Sequence, residues 1–122
     1  MSLERKSYSV GEKSFEIYIY IDDHLNPWFK AKEAALALGY LKTENAIQKH
    51  VDDEDKVPWD KLVIEKSQTL PAYWKSNTIF INESGLYSLI LRSKKLEAKQ
   101  FKRWVTSEVL LSIRKTGAYV SP

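Results

Sequence analysis

The stretch at residues 78–117, TIFINESGLYSLILRSKKLEAKQFKRWVTSEVLLSIRKTG, constrains the fold more than any other part of the chain. It opens with a short run of β-branched and aromatic residues, 78–81, which predicts a strand. Asn82 is a preferred helix N-cap residue, and Glu83 lies in the first turn, where a carboxylate complements the helix dipole. An apolar helix over 86–91 follows. The last element is a long amphipathic helix. At about 100° per residue, Ala98, Trp104, Val105 and Val109 fall within roughly 80° of Phe101, an apolar stripe of ordinary width. Lys99, Arg103 and Arg114 fall on the far side, roughly 160–220° away. A chain that runs strand, cap, apolar helix, one-sided helix has its core on one side of that last helix and leaves the other side to solvent or to a partner.

The charge is distributed unevenly. Residues 92–115 hold eight basic residues, Arg92, Lys94, Lys95, Lys99, Lys102, Arg103, Arg114 and Lys115, against Glu97 and Glu108, a local balance of +6. Residues 1–91 hold eleven basic and fourteen acidic residues, a balance of −3, so the whole chain is only +3. Concentrating the positive charge in the last quarter points to a polyanionic partner. Lysine and arginine neutralise phosphates and release counterions, which gives affinity independent of sequence.

At 122 residues the chain is of single-domain size, and 15 aromatic residues are ample for a core. It has no cysteine, which excludes disulfides, cysteine zinc sites and thiol chemistry, and fits a reducing intracellular setting. No apolar run approaches the roughly 20 residues of a membrane span. Residues 1–14 are polar and read as a flexible segment. Residues 15–21 alternate with a β-branched and aromatic bias, which predicts a strand. A turn over 22–27 and a return through Trp28, Phe29 and Lys30 predict a hairpin. Residues 32–38 are rich in alanine and leucine and end at Gly39, a favourable helix C-cap. A second short helix is expected from Thr43 to about Val51, closed by an acidic turn at 52–55. Residues 57–77 read as strand pieces and loops. The class is α+β: a small, mostly antiparallel sheet with short helices and a long basic amphipathic C-terminal helix.

The helix pair at 32–51 is a second candidate surface. Ala35 and Gly39 suggest the close approach and sharp turn of a helix-turn-helix, although residues 40–42 make the turn long for one. If the second helix packs through Ala46, Ile47 and Val51, it exposes Asn45, Gln48 and Lys49. Asparagine and glutamine can pair with an adenine edge in the major groove. His50, near the helix end, is expected to favour the dipole. Trp74, beside Tyr73 and Lys75, is a candidate for stacking on a base, whereas Trp104 sits on the apolar stripe and belongs to the core. The acids at 52–55 lack the alternation and glycine of a calcium loop, and Ser84 lies in a helix start rather than a nucleophile motif. No cofactor or metal motif is present.

The blocks INESGLYSLILRS, FKRWVTSEVL and SIRKTG, with PWFKAKEAALALGY and AIQKHVDDEDK upstream in the same order, resemble the Bro-N domain. That domain is the N-terminal module of baculovirus repeated-ORF proteins and of many phage antirepressors. The resemblance covers residues 15–117, and residues 118–122 read as a tail cut from a longer protein. It implies a non-catalytic viral or phage-type DNA-binding module in control of viral or host gene expression. It also implies a single- or double-stranded DNA partner, chromatin included, in the host nucleus or cytoplasm. Lys94, Lys95, Lys99, Lys102, Arg103, Arg114 and Lys115 are then the expected backbone contacts. The competing reading is a protein–protein module whose basic helix meets an acidic partner. Many members of the family have proline where Leu111 stands; leucine lets the helix run on.

Overall fold

A computed structural model describes residues 2–63, 75–93 and 95–113. Strands β1 (Ser2–Val10) and β2 (Lys13–Ile21) form a nine-residue antiparallel hairpin. Its two-residue loop begins with Gly11 at φ 60°, a conformation glycine adopts without a steric penalty. The chain returns through β3 (Pro27–Lys30), antiparallel to β2. The Asp22 carboxylate fixes that turn by accepting from the backbone N–H groups of His24 and Asn26, at 3.0 and 2.8 Å, and from the Trp28 indole at 3.2 Å. Helices α1 (Ala31–Ala37) and α2 (Thr43–His50) come next, then a 3₁₀ turn at Asp53–Asp55. Strand β4 (Lys56–Pro58) and the short α3 (Trp59–Leu62) precede β5 (Ile79–Ile81). The last elements are α4 (Glu83–Arg92) and α5 (Leu96–Trp104). The helix continues past α5 in wider, π-type turns at Val105–Leu110 and ends the described chain as α-helix at 111–113. The sheet order is β1-β2-β3-β5-β4, and every pairing is antiparallel. The fold is α+β.

The two faces of the sheet differ. One carries Ile17, Ile19, Phe29 and Ile81 against α1, α2, α4 and α5, with Leu86, Leu89, Phe101, Val105 and Val109 from the helices. The other carries Tyr20 and Phe80 beneath Trp59 of α3, a smaller cluster. The alternation at 15–21 explains this: odd positions face the main core, while even positions face the second cluster or solvent. Four alanines of α1, Ala31, Ala34, Ala35 and Ala37, are buried, and small side chains let this helix lie close to the sheet and to α2.

The expectation of a flexible N-terminal segment is corrected by β1. Nine residues pair with β2, and Tyr8 is 4% exposed. Its ring meets Phe101 edge-on at 5.2 Å, Trp104 at 4.9 Å and Phe15 at 6.3 Å. The strand is polar because β1 is an edge with one solvated face. Its stability comes from a ladder and a few aromatic contacts that its own composition does not advertise.

Candidate nucleic-acid interface

Asn82 accepts from the backbone N–H of Gly85 at 2.8 Å, capping α4 as its residue type predicts. Its amide nitrogen donates to the Asp55 carboxylate at 3.1 Å, and its backbone N–H donates to the Asp55 carbonyl at 3.0 Å. The acidic turn is thereby docked on the start of α4. Gly85 packs tightly there. A Cβ at that position would stand 3.1 Å from Val51 Cγ1 and 3.2 Å from the Asp55 carbonyl oxygen. Ser84 is exposed on the first turn, and among the described residues no three His, Asp or Glu side chains converge as a metal site.

Helix α5 buries Ala98 and Phe101, and Val105, Val109, Leu110 and Ile113 continue the buried stripe beyond it. Trp104 is partly buried against this core. Lys99, Lys102 and Arg103 are exposed. Among the described residues none of the three makes an ion pair. Their charge is therefore presented to solvent on one side of a firmly anchored helix. Lys94, Arg114 and Lys115, expected on the same surface, lie outside the described residues, as do Tyr73 and Trp74. The helix does run on past Leu111, but it is not uniformly α-helical. From Val105 the turns widen, and the hydroxyls of Thr106 and Ser107 donate to the Lys102 and Arg103 carbonyls at 3.0 and 2.6 Å. The 100° spacing that aligned Arg114 with Arg103 does not hold through these turns.

Lys95 has an additional role. Gly39 ends α1 in the left-handed region at φ 90°, its N–H donating to the Leu36 carbonyl and the Tyr40 N–H donating to that of Ala35. This is a Schellman ending, as the glycine predicted. The Lys95 ammonium donates to the Gly39 carbonyl at 2.8 Å, next to the negative end of α1. Two further bonds reinforce the junction: Ser93 Oγ to the Leu38 carbonyl at 3.1 Å, and the Tyr40 hydroxyl to the Leu89 carbonyl at 2.7 Å. The α1–α2 connection is thus clasped to the break between α4 and α5.

On α2, Thr43, Ala46 and Ile47 are buried, and Asn45, Gln48 and Lys49 are exposed. Residues 38–42 make the α1–α2 connection longer than the three or four residues of a standard helix-turn-helix. Gln48 shares a lining with Lys32, Lys56 and Lys75 in an open cleft of about 900 Å³, whereas Asn45 and Lys49 do not line it. Lysines so far apart in the chain carry no local signal, and sequence reasoning missed them. The His50 expectation changes as well. Burial first, then the charges of Arg92 and Lys49, hold its pKa below the ordinary histidine value, so its surroundings oppose the imidazolium.

The model of the BRO family N-terminal domain matches residues 16–111. The Bro-N domain-containing protein 289L of Invertebrate iridescent virus 6 is 39% identical over 103 residues, covering 76% of this chain and 25% of that protein. An uncharacterized protein of Haemophilus influenzae is 34% identical, over 88% of this chain and 49% of its own length. The Bro-N domain-containing protein ORF2 of Autographa californica nuclear polyhedrosis virus is 28% identical, over 92% of this chain and 37% of its length. The chain thus spans about a quarter to a half of the length of these relatives. No solved structure matches. With a family match extending from β2 into the last helix, at residue 111, the chain belongs to the BRO family and matches its N-terminal domain.

Proposed function

We propose that this domain binds DNA through the solvent face of α5, acts inside the cell in control of gene expression, and catalyses no reaction on its partner. The observation that supports this is the exposed trio Lys99, Lys102 and Arg103, which make no ion pair among the described residues, on a helix whose other side is buried. Cations at such spacing bind a phosphate backbone without reading bases. Asn45, Gln48 and Lys49 on α2 are the secondary contacts, where amides offer base-edge hydrogen bonds.

Fluorescence anisotropy with a labelled mixed-sequence duplex, repeated over a salt series, tests the reading. For about four or five phosphate contacts, log affinity falls with log salt at a slope of roughly −3 to −5. Replacing Lys99, Lys102 and Arg103 by alanine should weaken all sequences alike and flatten the slope by about 2–3. Absence of binding at about 50 mM salt would overturn the proposal, because electrostatic affinity is large there. Saturable binding of an acidic protein with no response to DNA would favour a protein partner for the basic helix instead.

A further inference from the structure

The cleft beside α2 has a composition of its own. Its lining comes from the β3–α1 junction, the first turns of α2, β4 and the approach to β5. Among the described residues, four lysines face two glutamates in it. Lys30 is buried and bonded to Glu33, so that pair is neutralised within the wall. Lys56 is largely buried, donates to the Val51 carbonyl at 3.2 Å, and lies 3.5 Å from the fully exposed carboxylate of Asp53. Lys32 and Lys75 are exposed at the margin, and Glu44 is the remaining acid. Over the described residues the cleft is therefore net positive. It also has apolar lining, from Ile47 and Ile79, and an exposed side-chain amide, from Gln48.

These three chemistries together select a ligand class. An inorganic anion needs only the lysines, and an apolar ligand only the isoleucines. A nucleoside phosphate uses all three: phosphate on the ammonium groups, a base against the apolar wall, and an amide at the base edge. The volume lies within the roughly 300–1,000 Å³ of small-ligand sites.

We propose that this cleft is a nucleoside-phosphate site, occupied either by a free nucleotide or by an unpaired nucleotide of a bound strand. The second source rests on the DNA reading of α5; the first does not. The two cationic surfaces are then distinct, one holding a backbone and the other receiving a single nucleotide.

The test uses the 122-residue chain with three probes: AMP, a twelve-residue oligothymidine strand, and a blunt mixed-sequence duplex. Two-dimensional NMR follows the backbone amides of Ile47, Gln48, Asn77 and Thr78, and anisotropy gives affinities. Shifts of these amides with AMP identify a free nucleotide as the ligand. Shifts with oligothymidine alone identify a strand-borne nucleotide. The Lys32→Glu/Lys75→Glu variant changes exposed residues only and should weaken whichever probe shifts these amides about tenfold or more. Duplex affinity should change far less, while alanine at Lys99, Lys102 and Arg103 should weaken the strand and the duplex together. Charge reversal repels any polyanion, so Gln48→Ala is the companion variant. Gln48 is also a secondary contact in the DNA reading, so its effect on AMP is the diagnostic one: an affinity loss of about three- to tenfold with an unchanged salt slope.

If neither AMP nor the strand shifts these amides, the cleft proposal is wrong. It is equally wrong if both cleft variants bind every probe as wild type does. If the duplex and the strand bind and only the α5 variant loses them, the DNA reading stands and the cleft proposal falls. If AMP titrates the cleft while no nucleic acid binds, the cleft stands and the reading of α5 falls.

Discussion

The solvent face of α5 and the cleft beside α2 both present lysine to solvent, but they are assembled in different ways. The α5 face is one helix, and its cations are neighbours in the chain. Its apolar side is held by Phe101 and Trp104 against Tyr8 of the hairpin. The cleft draws its lysines from positions 30, 32, 56 and 75, brought together by strand pairing and by the placement of α1 and α2. A contiguous surface can be read from charge and period, whereas an assembled surface exists only after folding. The two are also linked, because the clasp of Lys95, Ser93 and Tyr40 ties the α1–α2 connection to the start of α5.

The largest expected effect breaks the support of the α5 face alone. Tyr8→Ala removes a ring in contact with three others, and by analogy with other buried aromatics it should cost about 3–5 kcal/mol. Hydrogen exchange in the variant should rise first along α5 and less in α2. Equal acceleration in both would mean that the hairpin supports the whole core and that the comparison is too sharp. Tyr8→Phe is the control. The Tyr8 hydroxyl is buried without a hydrogen-bond partner among the described residues, so removing it should be neutral or slightly stabilising in urea denaturation.

The next variant breaks the clasp. At Gly39 the φ of 90° is strained for any side chain, and a Cβ would come within 2.7 Å of Lys95 Cδ. Gly39→Ala should therefore lower stability by about 1–2 kcal/mol. An unchanged denaturation midpoint would show that the connection relaxes freely. Smaller still is the contrast between Lys95 and Lys99. Lys95→Ala should cost about 0.5–1 kcal/mol of stability, because its ammonium serves the end of α1. Lys99→Ala should leave stability nearly unchanged and weaken DNA binding. Reversal of these two outcomes would return Lys95 to the binding surface and remove it from the clasp.

The smallest effect concerns His50, at the end of α2 beside Arg92 and Tyr40. Its folded pKa lies below its unfolded value of about 6.5. On acidification the unfolded chain takes up the proton first. The contribution of neutral His50 is therefore complete above about pH 6.5 and is lost as the pH falls from there through the folded value. NMR titration of the imidazole should give a midpoint below that of the same residue in urea-unfolded chain. A higher midpoint would mean that the helix dipole outweighs burial and the neighbouring cations.

Much of this architecture is legible in the order of the residues alone. Asn82, Gly39, the alternation at 15–21 and the one-sided periodicity about Phe101 are local signals. Each reflects a backbone or packing preference satisfied within one or two turns, and the strands, caps and helices they predict are present. The buried stripe of α5 and the exposure of Lys99 and Arg103 follow from the same periodicity. Three features needed the tertiary structure. Strand β1 is mostly polar, and only its ladder to β2 and the aromatic cluster at Tyr8 make it a strand. Lys95 contributes to the clasp because α1 ends beside it, 56 positions away in the chain. The lysine cleft joins residues that no local pattern connects. Short-range propensities are written in neighbouring residues, but the electrostatics of a surface depends on distances through space, and the packing of helices on the sheet sets those.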